Sequence, residues 1–330
     1  MATMLTSLEI CAGAGGQALG LELANFEHAA VVELDVHAAS TLRANRPKWL
    51  VMNDDVRNLD GRSFRGIDLF AGGVPCPPFS VAGRQLGADD QRDLFPTAIR
   101  LISESKPTAV MLENVPGLAT AKFKSYRASL AVQLEKLGYS VDWQVLNACN
   151  FGVPQLRPRF ILVAMKPKIF RHFAWPRPVS TPATVGGALR DLMASRGWPG
   201  AFAWAQAANG IGPTLVGGSK LHGGPDLGPT RAREAWKLLR VDGRGLANEA
   251  PDPDFPLDGM PRLTVRMAAR IQGFPDSWRF EGRKTACYRQ VGNAFPPPVA
   301  AAIGTAIRDA LAGVVPKERP AQTALQIESA

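Results

Sequence analysis

The chain of 330 residues is poor in the residues that staple small folds or hold metals. Its four cysteines, Cys11, Cys76, Cys149 and Cys287, lie far apart and form no C-x-x-C pair. Its four histidines, His28, His37, His172 and His222, are equally scattered. This spacing excludes a disulfide framework and argues against a structural zinc site, so no metal is expected and a reducing cytoplasm is the default compartment. No apolar run reaches the ~18 residues of a membrane span. The opening MATMLTSLEI lacks a basic region followed by a long apolar run, so no secretory signal is expected. Charged residues are only 20% and hydrophobic ones 46%, which suits a soluble globular protein and excludes a mainly disordered one. Acid is the scarcer sign, with 29 Asp and Glu against 38 Lys and Arg, a net charge of +9. That excess suits a polyanionic partner. At roughly 150 residues per domain, the length predicts one large or two ordinary domains.

Short apolar runs with β-branched residues occur at residues 7–11, 29–34, 50–52, 67–70, 108–112 and 160–164. Helical patterns separate several of them, at 17–24, 37–44, 94–103 and 126–137. Buried strands alternating with helices predict a doubly wound, mostly parallel α/β sheet, whose ligands sit at the carboxyl ends of the strands. From Pro176 the alternation stops, and residues 209–228 contain seven glycines, a composition suited to shaped loops. Helical patterns return at 264–272 and 298–311, and the tail from Pro316 reads as mobile.

The carboxyl ends of the expected strands carry the informative residues. The first runs into CAGAGG (11–16), a glycine-rich turn entering a helix. Alone, such a turn is often only a turn. About 20 residues downstream, the second strand ends at Glu33, Leu34 and Asp35, where nucleotide-type folds place a carboxylate on ribose hydroxyls. The third ends in Asn53, Asp54 and Asp55. The alternative for these acids is an exposed turn. Three sites at successive strand ends favour an adenosine-containing cofactor. The glycine loop has no lysine, which argues against a bound phosphate chain.

The next strand ends in PCPPFS (75–80). Prolines on both sides of Cys76 stiffen the turn that presents its thiol, which suits a nucleophile. Residues 81–92 read as a polar lid. ENVPG (113–117) follows at another strand end, where Glu113 is either a turn acid or, beside the cysteine loop, a catalytic acid. QLRPR (155–159) enters the strand at 160–164, and its alternate arginines face the same way as anion or oxygen anchors, or form a solvated edge.

These segments, with RMAARIQGFPDSW (266–278) and QVGNAFPPPVA (290–300) in this order, strongly resemble the cytosine-C5 DNA methyltransferases of bacteria and phages. The resemblance runs over roughly residues 5–310. It implies a class I methyltransferase sheet, S-adenosylmethionine as cofactor and double-stranded DNA as substrate. It also implies a monomeric enzyme, cytoplasmic and on the nucleoid through its DNA. The implied catalytic residues are Cys76 as nucleophile, Glu113 as the acid at cytosine N3, Arg159 holding the base and Arg157 supporting them. The implied cofactor residues are Gly13 and Gly15 on the methionine side, Glu33 at the ribose and Asp55 at the adenine edge, with Cys11, Leu34, Leu94 and Asn293 around them. Cys11 stands where the family often has Phe, Leu34 where it often has an aromatic and Pro77 where many members have Gln. The first two departures imply a looser or repacked cofactor pocket.

The implied division is a catalytic domain over 1–178, completed by 286–330, and a smaller, irregular target-recognition domain over 179–285. Its unmatched segment, about 181–259, carries GPTLVGG (212–218) and a run of basic residues. Expected DNA contacts are Ser80 and Arg84 in the lid, Gln155, and Thr214, Leu215, Ser219, Arg231 and Lys237. The alternative for residues 231–240 is a solvated basic helix. Three rivals stand beside this reading. A tRNA-modifying branch of the same family tends to carry a Cys-Phe-Thr segment, absent here. A catalytically silent DNA-binding relative would not need an intact PCPPFS and ENVPG. A small-molecule or protein methyltransferase would need neither Cys76 nor the 155–159 cluster.

Overall fold

The computed structural model describes residues 4–75, 93–179, 181–217 and 226–314. The chain begins with β1 (Leu5–Ile10), α1 (Gly16–Leu23), β2 (Phe26–Val32), α2 (Val36–Asn45), β3 (Val51–Met52) and β4 (Leu69–Gly73). It continues with α3 (Phe95–Ser105), β5 (Ala109–Asn114), α4 (Lys124–Lys136), β6 (Ser140–Asn147), β7 (Gln155–Leu156) and β8 (Pro158–Met165). Seven strands form one sheet in the order β3-β2-β1-β4-β5-β8-β6. The run from β3 to β5 is parallel, and β8 is antiparallel to both β5 and β6. The six expected strands and the four helices expected between them correspond to elements of this sheet and its flanking layers. β6 escaped the pattern because the polar, half-buried Asp142 and Gln144 interrupt its apolar run.

Both faces of the sheet are covered, as near-continuous apolar strands require. Leu8, Ile10, Phe70 and Leu112 pack against Phe95 and Leu101 of α3 and Leu134 of α4. On the other face Leu69, Met111 and Val163 meet Leu21 of α1. After β8 come α5 (Pro167–Phe170), α6 (Val185–Ala194), α7 (Ala201–Ala207), β9 (Gly212–Pro213), α8 (Thr230–Leu238), α9 (Val265–Ile271), α10 (Lys284–Asn293) and α11 (Pro297–Leu311). α11 returns to the sheet, where Val299, Ile303 and Ile307 complete the second face. A Cβ on Gly20 would lie 2.4 Å from the Ala300 Cβ, so the contact of α1 with α11 depends on that glycine.

Residues 181–259, expected to be irregular apart from an alternative basic helix at 231–240, hold α6, α7 and, at that basic stretch, α8. They build a separate core in which Leu189, Trp204, Trp236, Met267 and Trp278 pack together. Fully burying a large apolar side chain stabilises by about 1.5–3 kcal/mol, and Trp236 is 0% exposed. Its ring packs on Gly212, where a Cβ would lie 2.5 Å from it. Among the described residues no helix is long and apolar enough to cross a membrane, and no cluster of His, Cys, Asp and Glu is arranged to hold a metal.

Candidate active site

Parallel pairing brings the carboxyl ends of β3, β2, β1, β4 and β5 to one edge. There a cavity of about 600 Å³ opens. Cys11, Gly13, Glu33 and Leu34 line it beside Asp55, Leu94 and Asn293. Glu113 and Pro75 line the same cavity, so the expected cofactor residues and the expected acid share one space.

The Glu33 carboxylate closes the glycine turn onto β2. One oxygen accepts from the Gly13 amide at 2.7 Å and the other from the Asp35 amide at 2.7 Å. Each retains a lone pair for a ligand hydroxyl. Burial raises the Glu33 pKa and these amides pull it back. Asp55 accepts from the Arg57 amide and pairs with its guanidinium at 2.8 Å. Leu34 is 66% exposed at the rim. Cys11 sits at φ +52°, a strained left-handed conformation for a residue with a side chain. Burial, with Glu33 and Asp55 nearby, pushes its thiol up to about 12.

Gly15 departs from its expected role, because it does not line the cavity. It caps α1 at φ +85°, and a Cβ there would meet Leu42 at 2.6 Å and Trp278 at 3.0 Å. The Trp278 indole also donates to the Ala14 carbonyl at 3.1 Å. The GFPDSW motif therefore clamps the glycine turn from behind.

The antiparallel β5–β8 register sets Glu113 opposite Ile161. Arg159, two residues earlier on β8, is its diagonal neighbour on the same face. Arg159 Nε pairs with Glu113 Oε1 at 2.9 Å, with both side chains nearly buried. Burial raises the Glu113 pKa, while Arg159 and then Arg157 pull it back. A buried carboxyl with a raised pKa beside a fixed cation is suited to sharing a proton with a ligand.

Arg157, expected to support the catalytic residues, pulls on Glu113 electrostatically and also has a structural task. It is 1% exposed, and its guanidinium donates to the carbonyls of Leu215 and Gly292 at 2.7 Å and of Ala294 at 3.0 Å. It ties the loop after β9 to the end of α10. Gln155 and Leu215 are corrections: both are 0% exposed, so neither reaches a DNA groove. The Gln155 amide accepts from the Leu215 amide at 2.8 Å and donates to Gln272 at 2.7 Å. Leu215 belongs to the helical core. The Thr214 hydroxyl donates to the Leu156 carbonyl at 2.5 Å, which holds β9 to β7. Gly217 packs against α10, where a Cβ would lie 2.5 Å from the Arg289 carbonyl. Gly212 and Gly217 thus serve internal packing. Arg231 and Lys237 are exposed on α8.

Cys76, Ser80, Arg84 and Ser219 lie outside the described residues. Pro75, covalently joined to Cys76, lines the cavity, and its carbonyl accepts from the Leu94 amide at 3.3 Å. Sequence reasoning missed Glu9 and Gln17, which line the cavity at 0% and 3% exposure. Neither side chain has a hydrogen-bond partner among the described residues. A carboxylate between the apolar Leu8 and Ile10 of a strand was the signal for Glu9.

Comparison with known proteins places these features in context. A family model described as C-5 cytosine-specific DNA methylase matches residues 5–208 and 229–309. The Type II methyltransferase M.NaeI of Lentzea aerocolonigenes is 56% identical over 311 residues, covering 93% of this chain and 75% of that protein. The Type II methyltransferase M.NgoMIV of Neisseria gonorrhoeae is 53% identical over 315 residues, covering 93% and 98%. Among solved structures, a DNA modification methyltransferase encoded within an Escherichia coli prophage superimposes with a TM-score of 0.67 at 25% identity, covering 93% of this chain and 99% of that one. Spodoptera frugiperda DNMT2, at 16% identity and a TM-score of 0.66 over 92% of this chain and 99% of that one, shares the fold.

Proposed function

Because the chain belongs to the C-5 cytosine-specific DNA methylase family, and so is a DNA cytosine-5 methyltransferase, we propose that it takes its methyl group from S-adenosylmethionine and acts on a cytosine flipped out of a specific duplex sequence and bound covalently through Cys76. The observation that carries this reading is the shared cavity. Glu113, paired with Arg159, lines the same space as Gly13, Glu33, Asp55 and Asn293.

The residues fit that cofactor. A cavity of about 600 Å³ is of ligand size. Buried polar atoms without partners on its wall suit a polar ligand. Glu33 takes the ribose hydroxyls, Asp55 the adenine edge, and Leu34, Leu94 and Cys11 the apolar surfaces, with Asn293 closing the space from α10. When bound, S-adenosylmethionine supplies an electrophilic methyl group.

The protein's part is to make C5 nucleophilic. The Cys76 thiolate adds to C6, which breaks the ring conjugation and places electron density on C5. Glu113 shares its proton with N3 and neutralises the charge that develops there. Arg159 orients Glu113 and anchors the base. Loss of the C5 proton and departure of Cys76 then restore the aromatic ring. Burial raises the pKa of Cys11, Cys149 and Cys287, which suppresses their thiolates and supports Cys76 as the nucleophile. Flipping the base costs a few kcal/mol, which protein–DNA contacts must offset. The 179–285 region supplies recognition, with Arg231 and Lys237 on phosphates, while residues 1–178 and 286–330 carry the chemistry.

A methyl-transfer assay with tritiated cofactor tests this directly. Duplex DNA containing the target should accept label, whereas tRNA should not. Label on tRNA alone would overturn the substrate.

A further inference from the structure

We propose that Tyr126 and Arg127, neighbours in the first turn of α4, are positioning residues for methyl transfer: Tyr126 holds the backbone that leads back from Cys76, and Arg127 holds the backbone that leads on from Glu113. This inference rests on the roles given to Cys76 and Glu113 above.

Leu130 and Leu134, both buried, seat α4 on the sheet. Its first turn reaches instead toward two segments that lead to cavity residues. Residues adjacent in a helix point about 100° apart, so Tyr126 and Arg127 serve different neighbours. The Tyr126 hydroxyl donates to Asp93 Oδ2 at 2.6 Å, and its ring packs edge-on against Phe95 with centroids 5.9 Å apart. Asp93 is only 9% exposed, and its other oxygen accepts from the Phe95 amide at 3.0 Å. The amide of Leu94, between them, donates to the Pro75 carbonyl at 3.3 Å. Tyr126 therefore fixes the residue next to Leu94, and Leu94 is bonded to the residue that precedes Cys76. Leu94 and Pro75 both line the cavity.

Arg127 acts on the other segment. Its guanidinium donates to the carbonyls of Leu118 and Thr120, the latter at 2.7 Å. These residues belong to and follow the short turn Pro116–Ala119, just beyond Glu113 and Asn114 at the end of β5. The Trp143 ring lies against the same guanidinium, 4.8 Å from ring centroid to the guanidinium carbon, and stacks on Phe160 at 5.1 Å. Phe160 follows Arg159 in β8 and is paired with Asn114 across the ladder. A guanidinium held by an aromatic face and two carbonyls is fixed in place. The thiol side and the acid side of the reaction thus share one support, the start of α4. For addition at C6 the sulfur must meet the ring while Glu113 meets N3. A shift of about 1 Å in either can cost about 100-fold in rate.

The test separates rate from binding in the full chain. Tyr126→Phe keeps the ring on Phe95 and removes the hydroxyl. The rate of covalent capture by duplex DNA carrying 5-fluorocytosine, at saturating DNA and cofactor, should fall about 10- to 100-fold. Dissociation constants for the same duplex and for S-adenosylhomocysteine should stay within about twofold, and the thermal midpoint should fall by only about 2–4 °C. Asp93→Asn can still accept from the Phe95 amide and bond the Tyr126 hydroxyl, so its capture rate should stay near that of the wild type. Arg127→Met should show the same split between rate and binding, and Arg127→Lys, which keeps a donor, should recover part of the rate. If Arg127→Met fails to fold, Tyr126→Phe and Asp93→Asn carry the test alone. An unchanged capture rate in Tyr126→Phe, or a rate loss matched by an equal loss of binding, would overturn the positioning role. Methyl transfer by the wild type without any capture would overturn the reading of Cys76 instead.

Discussion

The sheet edge and the helical region use polar side chains for opposite purposes. At the edge, Glu9, Gln17, Glu33 and Glu113 line the cavity, and Glu9 and Gln17 have no partner among the described residues. In the helical region the polar groups nearest the expected recognition loop turn inward. Gln155, Thr214 and Arg157 are engaged with Gln272 and with the backbone of Leu156, Leu215, Gly292 and Ala294. One region keeps capacity for a ligand, while the other uses it to fasten a loop to α10. A motif can therefore belong to a functional site by holding it together rather than by touching the substrate.

The largest effect that can break this comparison is at the nucleophile. Cys76→Ser should reduce methyl transfer to background while cofactor and DNA binding persist, because an alcohol is a far weaker nucleophile near neutral pH. Equal single-turnover rates would remove Cys76 from the chemistry. Next is Glu113→Gln, which keeps the shape and removes the exchangeable proton. The single-turnover rate should fall about 10²–10⁴-fold, and an unchanged rate would make Glu113 a structural partner of Arg159.

Arg157→Met probes the fastening side. It removes the guanidinium from the carbonyls of Leu215, Gly292 and Ala294, of which Ala294 keeps the Gln272 amide as a donor. A loss of about 3 kcal/mol in denaturant unfolding is expected. If stability held and only catalysis fell, Arg157 would belong to the cavity after all. Smaller still are Arg231→Ala and Lys237→Ala. Each should weaken binding to all DNA sequences alike and lower the salt slope by about 1. A changed site preference would move these residues into base readout.

The smallest effect is a pH dependence of stability. Burial raises the Glu9 pKa well above its ordinary value, so the folded chain holds this proton more tightly than the unfolded one. The contribution is complete below the unfolded value of about 4.3 and declines as pH rises toward the folded value. Glu9→Gln should flatten the thermal midpoint across that window. An unchanged slope would mean that Glu9 is ionised in the fold.

The two regions also differ in how legible they were. The strands from β1 to β5, the glycine turn, Glu33 and Glu113 could be read because buried parallel strands write unbroken apolar runs with their functional residues at the ends. β6 was missed because it is half-exposed. α6 and α7 were missed because their pattern is interrupted by glycine and tryptophan that serve a core only the fold assembles, whereas α8 was legible as a basic helix. Gln155 and Leu215 looked like DNA contacts because position in a motif does not reveal burial. Glu9 and Gln17 were passed over because a missing partner is visible only in three dimensions.

The central claim, that the chemistry lies at the sheet edge and runs through one thiol, is tested most directly by trapping. Duplex DNA with 5-fluorocytosine at the target position cannot lose a proton from C5, so the enzyme should remain covalently attached after one turnover. Mass spectrometry of the digested complex should place the adduct on the peptide containing Cys76. An adduct on Cys11, Cys149 or Cys287 would contradict the account, as would methyl transfer with no adduct at all.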